Sequence, residues 1–332
     1  MERSRPTMKD VAIAADVSLK TVSRVVNGEP GVTPTTEQRV REAIDTLGFR
    51  RNDSARLLRT GQTATVGLVL EDIGDPFYSA LSRGVESVAR AHGSLLISGS
   101  SDADPTTEHM LALTLCARRV DGLIIVPASG DHGFLVPEMR AGVPIVFADR
   151  PPGQIQADTV LSDNTGGAAN GTAHLIAAGH RRIGYIGDDP DIFTARERCQ
   201  GYRSAMSAAG LPVAESWVAM ATPATRCVQE ALERMLAGPE PVTAVFFGNN
   251  RVSVLALHVL AALRHTIALV GFDDFELADL LGITVIAQDT EALGRKAAEL
   301  LFQRLDGDES PPHRIVIPTR MITRGSGELR PA

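Results

Sequence analysis

Aromatic side chains are scarce in this chain, at 4% of its residues with a single tryptophan, and cysteine is scarcer still. The three cysteines, Cys116, Cys199 and Cys227, are far apart and odd in number, which leaves no paired spacing for a metal, a redox couple or a disulfide framework. A reducing compartment follows as the expectation. No window approaches the roughly 18 uninterrupted apolar residues of a membrane span. The apolar stretch from Val11 to Val17 is broken by Asp16 and preceded by Lys9 and Asp10, so it is no signal peptide. A cytoplasmic, nucleoid-associated protein is expected, without membrane contact. The phosphate-binding GxxxxGK[ST] is missing, as are GxGxxG, GxSxG and HExxH. The eight histidines, among them His174 and His180, are scattered and are expected to cap helices or face solvent. No enzyme, cofactor or metal site is therefore expected.

What is present begins at Thr7. The run Thr7 to Gly28, TMKDVAIAADVSLKTVSRVVNG, reads as two helices joined by a tight turn at Asp16 and Val17. Thr7 can cap a helix whose third position is Asp10, and Ser18 can cap a second. Val11, Ala12 and Ala15 form one small apolar face, and Val22, Val25 and Val26 point back to it. Asn27 and Gly28 tolerate the left-handed conformation of a helix stop. The outward face of the second helix keeps Leu19, Lys20, Thr21, Ser23 and Arg24, short hydroxyls and cations suited to phosphates and base edges. Thr33 caps and Pro34 opens a third helix with Val40, Ala43, Ile44 and Leu47 at helical spacing, closed by Gly48.

The run DVAIAADVSLKTVSRVVNG, the third helix and the following NDSARLLRTG together resemble the headpiece of the lactose-repressor (LacI/GalR) family of bacterial transcription regulators. The likeness continues through nearly the whole chain. It implies a helix-turn-helix headpiece over 1–51, a hinge over 52–63 and an effector-binding, dimerising body over 64–332. Within the body it implies an N-subdomain of about 64–161 plus 290–319 and a C-subdomain of about 162–289 plus 320–332. Charge is divided accordingly. The whole chain is at −7, but residues 1–62 hold 11 Lys+Arg against 8 Asp+Glu, leaving 22 against 32 for the rest. Nucleic-acid affinity follows the local basic face, not the overall balance.

The hinge NDSARLLRTGQT holds about two helical turns, flanked by Gly61, and helices below about 12 residues are marginal alone in water. By the resemblance, paired hinge helices of a dimer form on the operator, and Leu58 wedges the central base step of the minor groove, with Arg56 and Arg59 beside it. Thr7, Ser18, Leu19, Lys20, Thr21, Ser23, Arg24, Asn27, Thr33 and Asn52 complete the expected DNA contacts. Lys20, Arg24 and Leu19 would read base edges, while Thr21, Ser23 and Asn27 would hold phosphates.

From Thr65 onward ten short, near-continuous apolar runs alternate with amphipathic stretches: Thr65–Leu70, Leu95–Gly99, Gly122–Val126, Pro144–Ala148, Thr159–Leu161, Ile183–Ile186, Ala244–Phe247, Ile267–Val270, Val285–Ala287 and Ile315–Ile317. Continuous apolarity predicts strands covered on both faces, hence two doubly wound, parallel-sheet α/β subdomains. Ligands of such sheets bind beyond the carboxyl ends of the strands. There the runs end in polar residues: Asp75 before Pro76-Phe77-Tyr78, then Asp149-Arg150, Asn249-Asn250, Asp273-Asp274 and Gln288-Asp289. Gly166-Gly167 after Asp163-Asn164 is expected to open a crossover helix.

The body also resembles the periplasmic ribose-type sugar-binding proteins, through ADR, ARERxxGY, GNN, GFDD and IAQD. That likeness implies that Asp149, Arg150, Arg198, Asn249, Asp273 and Gln288 hold sugar hydroxyls and that Phe77 and Tyr78 lie against the ring. Two positions depart from the pattern: Asp75 stands where Asn is usual before Pro-Phe, and Asn250 where Asp usually follows the Asn. The expected partners are pseudo-palindromic double-stranded operator DNA, a small effector favoured to be a ribose-like monosaccharide, and a second copy of the chain. A purine or phosphorylated metabolite is the alternative effector. The chain ends soon after RMITRGS without a leucine heptad, so a homodimer is expected. A dimer reads two half-sites about one helical turn, or a multiple, apart.

Overall fold

The computed structural model describes residues 6–50, 62–263 and 265–331. The chain divides into two compact units, Met1–Thr63 and Ala64–Ala332. The hinge residues Asn52, Arg56, Leu58 and Arg59 lie outside the described residues.

The first unit holds α1 (Met8–Ala14), α2 (Leu19–Asn27) and α3 (Pro34–Leu47). At the start of α1 the Asp10 carboxylate accepts from both the amide and the hydroxyl of Thr7, each at 2.7 Å. The Thr7 hydroxyl thus donates to the acid, and these bonds hold Asp10 below the ordinary aspartate range. Asp16 turns the chain at φ 49°. Ser18 and Thr33 accept from the amides of Thr21 and Thr36 as helix caps. Gly28 and Gly48 close α2 and α3 in the left-handed region. Val11, Val22 and Val40 are fully buried, and Ala12, Ala15 and Ala43 fill the space between them. Small side chains let three short helices share a single core.

The second unit contains two six-stranded sheets. The first comprises β1 (Thr65–Leu70), β2 (Leu95–Ser100), β3 (Gly122–Ile125), β4 (Ile145–Ala148), β5 (Asp158–Ser162) and β11 (Arg314–Ile317), in the order β11-β5-β4-β3-β1-β2. The second comprises β6 (Ile183–Gly187), β7 (Val218–Met220), β8 (Ala244–Phe247), β9 (Ala268–Phe272), β10 (Thr284–Ala287) and β12 (Arg320–Ile322), in the order β12-β10-β9-β8-β6-β7. The two orders are the same pattern. Strand pairs are parallel except β10 with β12. The chain passes between the sheets after β5, after β10 and after β11.

Each of the ten predicted runs forms a strand, and β7 and β12 add two three-residue edges that the apolar pattern did not mark. Interior strands such as β3, β4, β8 and β9 are buried at every residue. The edges differ: β2 and β11 are partly exposed although their sequences are nearly continuous in apolar residues, because an edge strand lacks a neighbour and full helix cover.

Helices Pro76–Ala91 and Thr290–Leu305 cross closely beside the first sheet. Glycine makes this possible. A Cβ on Gly84 would collide with the carbonyl oxygen of Glu291, and one on Gly294 with that of Leu81. Helix Asn164–Ala177 begins under an Asp163 cap that accepts from the Gly166 amide, so the expected crossover helix is present and its first turn is filled by the chain's own carboxylate.

The histidine expectation needs correction. His180 is buried, with its ring nitrogens at Thr243 Oγ1 and the Leu329 carbonyl oxygen, and His174 faces Glu328 at 2.6 Å. His132 is fully buried against Glu108 and the Pro152 carbonyl. Burial is tolerated because both ring nitrogens of His132 and of His180 have partners.

Gly294→Ala should lower the unfolding free energy of the body by about 1–3 kcal/mol through overpacking at a backbone contact. Denaturant melts of the full chain measure this, and an unchanged body transition would show that the helix pair relaxes without loss.

Candidate functional site

Two regions gather the residues singled out by sequence. In the headpiece unit Leu19 is 45% exposed, a conspicuous apolar group at the first position of α2, and Lys20 is exposed beside it. Thr21, Ser23, Arg24 and Asn27 are half-buried. Asn27 donates to Ser23 Oγ and to Glu29 Oε1, so these two polar residues of the outward face already bond to each other. Thr21 and Ser18 share a hydroxyl contact at 2.9 Å. The face is preorganised by its own caps, with Lys20 and Arg24 supplying cations.

The second region lies where the strands of both sheets end. Glu71 follows β1, Asp149 and Arg150 follow β4, Asp188 follows β6, Asn249 follows β8 and Asp273 follows β9. All of them line one inner cavity of about 50 Å³, with Phe77, Tyr78, Arg198 and Asn250. A wider cavity of about 1200 Å³ adjoins it, lined in part by Phe193, Pro223, Leu255 and Phe275.

Two buried guanidinium groups organise the inner walls. Arg198 donates from Nε to Asn164 Oδ1 at 2.7 Å, and from Nη1 to the Gly248 carbonyl and to Asp273 Oδ2 at 2.8 and 3.3 Å. Its guanidinium carbon lies 3.9 Å from the centre of the Phe272 ring. Arg150 donates from Nη2 to Glu71 Oε2 at 2.6 Å and to the Tyr78 hydroxyl at 3.0 Å, and from Nη1 to the Pro127 carbonyl at 3.0 Å. Burial opposes the charge on Arg150, but Tyr78, Asp149 and Glu71 outweigh it and push its pKa up.

Carboxylates outnumber these cations. Burial raises the pKa of Asp149, against the pull of Arg150 and Arg198, and burial likewise raises Asp75 and Asp188. Asp149 is 3% exposed, yet its Oδ1 has no hydrogen-bond partner, and neither has the adjacent Arg150 Nε. An acceptor and a donor without a hydrogen-bond partner thus stand side by side, buried in the cavity wall with Nε 3.5 Å from the other Asp149 oxygen, where most buried polar groups are paired. Asp149 and Asp273 also share a strained backbone, at φ 67° and 71°.

Phe77, Tyr78, Asp149, Arg150, Arg198, Asn249 and Asp273 from the sequence-derived set all line the inner cavity. Gln288 does not. Its amide donates to Asp273 Oδ1 at 2.6 Å, so it orients that carboxylate from behind. Tyr78 is polar in its use rather than a ring platform, because its hydroxyl donates to Glu71 at 2.9 Å while accepting from Arg150. Phe77 packs edge-on against it at 5.0 Å. Asn249 is turned to Asp188, donating at 2.7 Å. Sequence reasoning missed Glu71, Asp188 and Asn164. Glu71 and Asp188 each follow a strand, the same signal that marked Asp149.

A helix-turn-helix unit followed by a two-sheet body with a charged interstrand cavity defines a ligand-responsive DNA-binding regulator. The family model for bacterial regulatory proteins of the lacI family matches residues 7–52, and that for the periplasmic binding protein-like domain matches residues 172–327. The HTH-type transcriptional regulator CelR of Thermobifida fusca is 35% identical, covering 98% of this chain and 99% of its own. The maltose regulon regulatory protein MalI of Escherichia coli K12 is 32% identical over 95% of this chain and 97% of its own. A solved CelR–cellobiose complex superposes with a TM-score of 0.71 at 33% identity, over 97% of this chain and all of that one. The lac repressor dimer bound to operator has the same fold at a TM-score of 0.87 and 23% identity, over 98% of this chain and all of that one. The chain belongs to the lacI family of bacterial regulatory proteins, and it is a DNA-binding transcription regulator, not an enzyme.

Arg198→Met should destabilise the body by about 3–5 kcal/mol, because it leaves the Asp273 carboxylate, Asn164 Oδ1 and the Gly248 carbonyl without their buried donor. Equilibrium denaturation of the full chain tests this, and a loss below about 1 kcal/mol would show that other donors replace the guanidinium.

Proposed function

We propose that this chain is a homodimeric repressor of a carbohydrate uptake or catabolic operon, released from its operator by a free, uncharged sugar bound in the inner cavity. The observation that carries the effector class is the unpartnered pair Asp149 Oδ1 and Arg150 Nε. A sugar hydroxyl both donates and accepts, so one hydroxyl, or a vicinal pair, satisfies the acceptor and the donor together. Five carboxylates around that cavity, Glu71, Asp75, Asp149, Asp188 and Asp273, against Arg150, Arg198 and Arg251, disfavour a phosphate ester. The inner cavity has room for a few water-sized groups, so a monosaccharide anchored there also extends toward the wider cavity that adjoins it. A Burkholderia thailandensis protein described as a candidate ribose operon repressor is 32% identical, at a TM-score of 0.72 over 78% of this chain.

On the DNA side Leu19, Lys20 and Arg24 would read major-groove edges, Thr21, Ser23 and Asn27 would hold phosphates with Thr7, Ser18, Thr33 and Asn52, and Leu58 would wedge the operator centre between Arg56 and Arg59. Exposed Leu95 and Ile97 on β2, and exposed Leu277, Leu280 and Leu281 after β9, support a second copy as partner. Effector binding shifts the angle between the two sheets and weakens the hinge helices. A coupling of about 1–3 kcal/mol lowers operator affinity roughly 5–150-fold, enough for induction.

A thermal-shift panel on the full chain, covering pentoses, hexoses, disaccharides, purines and sugar phosphates, tests the proposal. A free sugar at 100 times its dissociation constant should stabilise the chain by about 2.7 kcal/mol. Stabilisation by purines or phosphate esters alone would contradict it.

The raised Asp149 pKa gives a pH signature. Hydroxyls donating to Asp149 require its ionised form, so sugar affinity should begin to fall at a higher pH than for an ordinary aspartate as the solution is acidified. Calorimetric titration across pH should show this component in the native chain and lose it in Asp149→Asn. An identical profile in both would remove Asp149 from the site.

A further inference from the structure

Seven residues line both the inner and the outer cavity, and four of them face each other in pairs: Glu71 and Asp75 on one side, Asn250 and Arg251 on the other. The first two lie beyond β1 of the first sheet, and the second two open the helix after β8 of the second. They pair across the cleft. Arg251 Nη1 lies 3.4 Å from Glu71 Oε1, and Asn250 Nδ2 donates to Asp75 Oδ1 at 3.4 Å.

Asp75 and Asn250 are the two positions at which the sequence departs from the pattern of the family it resembles. In the structure they are each other's partner. The expected Asn and Asp have exchanged sides, so one amide still faces one carboxylate, and the charge has moved to the side that carries Glu71. That carboxylate is answered across the cleft by Arg251, the neighbour of Asn250. The two contacts together form a rim that crosses from one sheet to the other.

We propose that this rim is the specificity determinant that sorts effectors by length. A single ring held by Asp149 and Arg150 reaches least far between these pairs and disturbs them least. A longer carbohydrate that continues into the outer cavity along the line of these pairs passes between Glu71 and Arg251 and between Asp75 and Asn250, and so parts them. The inference rests on the sugar-binding reading of the inner cavity and adds the residues that decide how much of the outer one is used. The rim can open because it is weak: both contacts are long, and the Arg251 side chain is 49% exposed. Its parting discriminates by a small factor, and a longer ligand regains that factor only through contacts made beyond the rim.

Two variants test the pairing. Asn250→Asp alone sets two carboxylates against each other, whereas Asp75→Asn with Asn250→Asp restores one acid and one amide in the exchanged arrangement. The first readout needs no ligand. Cys227 is the exposed cysteine, while Cys116 and Cys199 are buried, so spin labels on Cys227 and on Arg140→Cys report the separation of the two sheets. The labelled full chain is diluted with unlabelled protein so that only intramolecular pairs register. At about pH 8, where carboxylates ionise, Asn250→Asp should give a longer and broader distance distribution, and the double variant should return it to that of the native chain. The second readout is calorimetric affinity for ribose and for cellobiose. The ratio favouring cellobiose should rise about fivefold in Asn250→Asp, the factor corresponding to ~1 kcal/mol, and should return in the double variant. An unchanged distance in Asn250→Asp, or a double variant that fails to restore it, overturns the rim. Absence of binding by either sugar overturns the sugar-binding reading instead and leaves the label distance to decide the rim.

Discussion

The body depends on placing buried carboxylates at the carboxyl ends of strands without leaving them uncompensated. Asp149 and Asp273 occupy matching places, one after β4 and one after β9, in sheets with the same strand order. Both are in the left-handed region, where an aspartate is tolerated at a cost of order 1 kcal/mol or more. Each amide donates back to the next strand, Asp149 to the Val160 carbonyl and Asp273 to that of Ile286, which turns the side chain out of the sheet and into the cavity. Each carboxylate then faces one buried guanidinium, Arg150 or Arg198. The two walls are not equal. Arg198 and Gln288 satisfy the two oxygens of Asp273, with the unpartnered Gln288 Oε1 behind that wall, whereas Asp149 itself keeps an oxygen without a partner at the cavity. The asymmetry makes the Asp149 wall the side where a ligand has most to gain.

That arrangement links recognition to movement. The chain passes three times between the sheets, and the cavity walls come from both, so a ligand bridging Asp149 and Arg198 acts on their relative orientation rather than on one sheet alone. The contacts already spanning the cleft are few and long, in contrast to the glycine-mediated helix crossing at Gly84 and Gly294 within the first lobe. Tight packing inside lobes and weak polar contacts between them are what a small coupling energy needs in order to move something.

Much of the fold was legible in the sequence because its signals are local. The caps at Ser18 and Thr33, the stops at Gly28 and Gly48 and the ten apolar runs depend on neighbours a few residues away. The edges β7 and β12 were not legible, since three residues are too few to carry a period. The site was legible as a list but not as a network. Polar residues after strands marked Asp149, Asn249 and Asp273, yet nothing local says that Glu71 meets Arg150, 79 residues on, or that Asn164 receives the Arg198 guanidinium. Gln288 carries the same local signal as Asn249, and only the pairing with Asp273 shows that it stands behind the wall. His132 was misjudged for a similar reason: its partner, Glu108, is 24 residues away and fully within the first lobe.

The most direct measurement is a crystal structure of the full chain grown with ribose. The account predicts a sugar in the inner cavity with a hydroxyl hydrogen-bonded to Asp149 Oδ1 and Arg150 Nε, and with the Arg198 contacts to Asn164 and Asp273 retained. A sugar bound only outside that cavity, or a cleft in which Asp149 Oδ1 and Arg150 Nε stay without hydrogen-bond partners at saturating ribose, would contradict it.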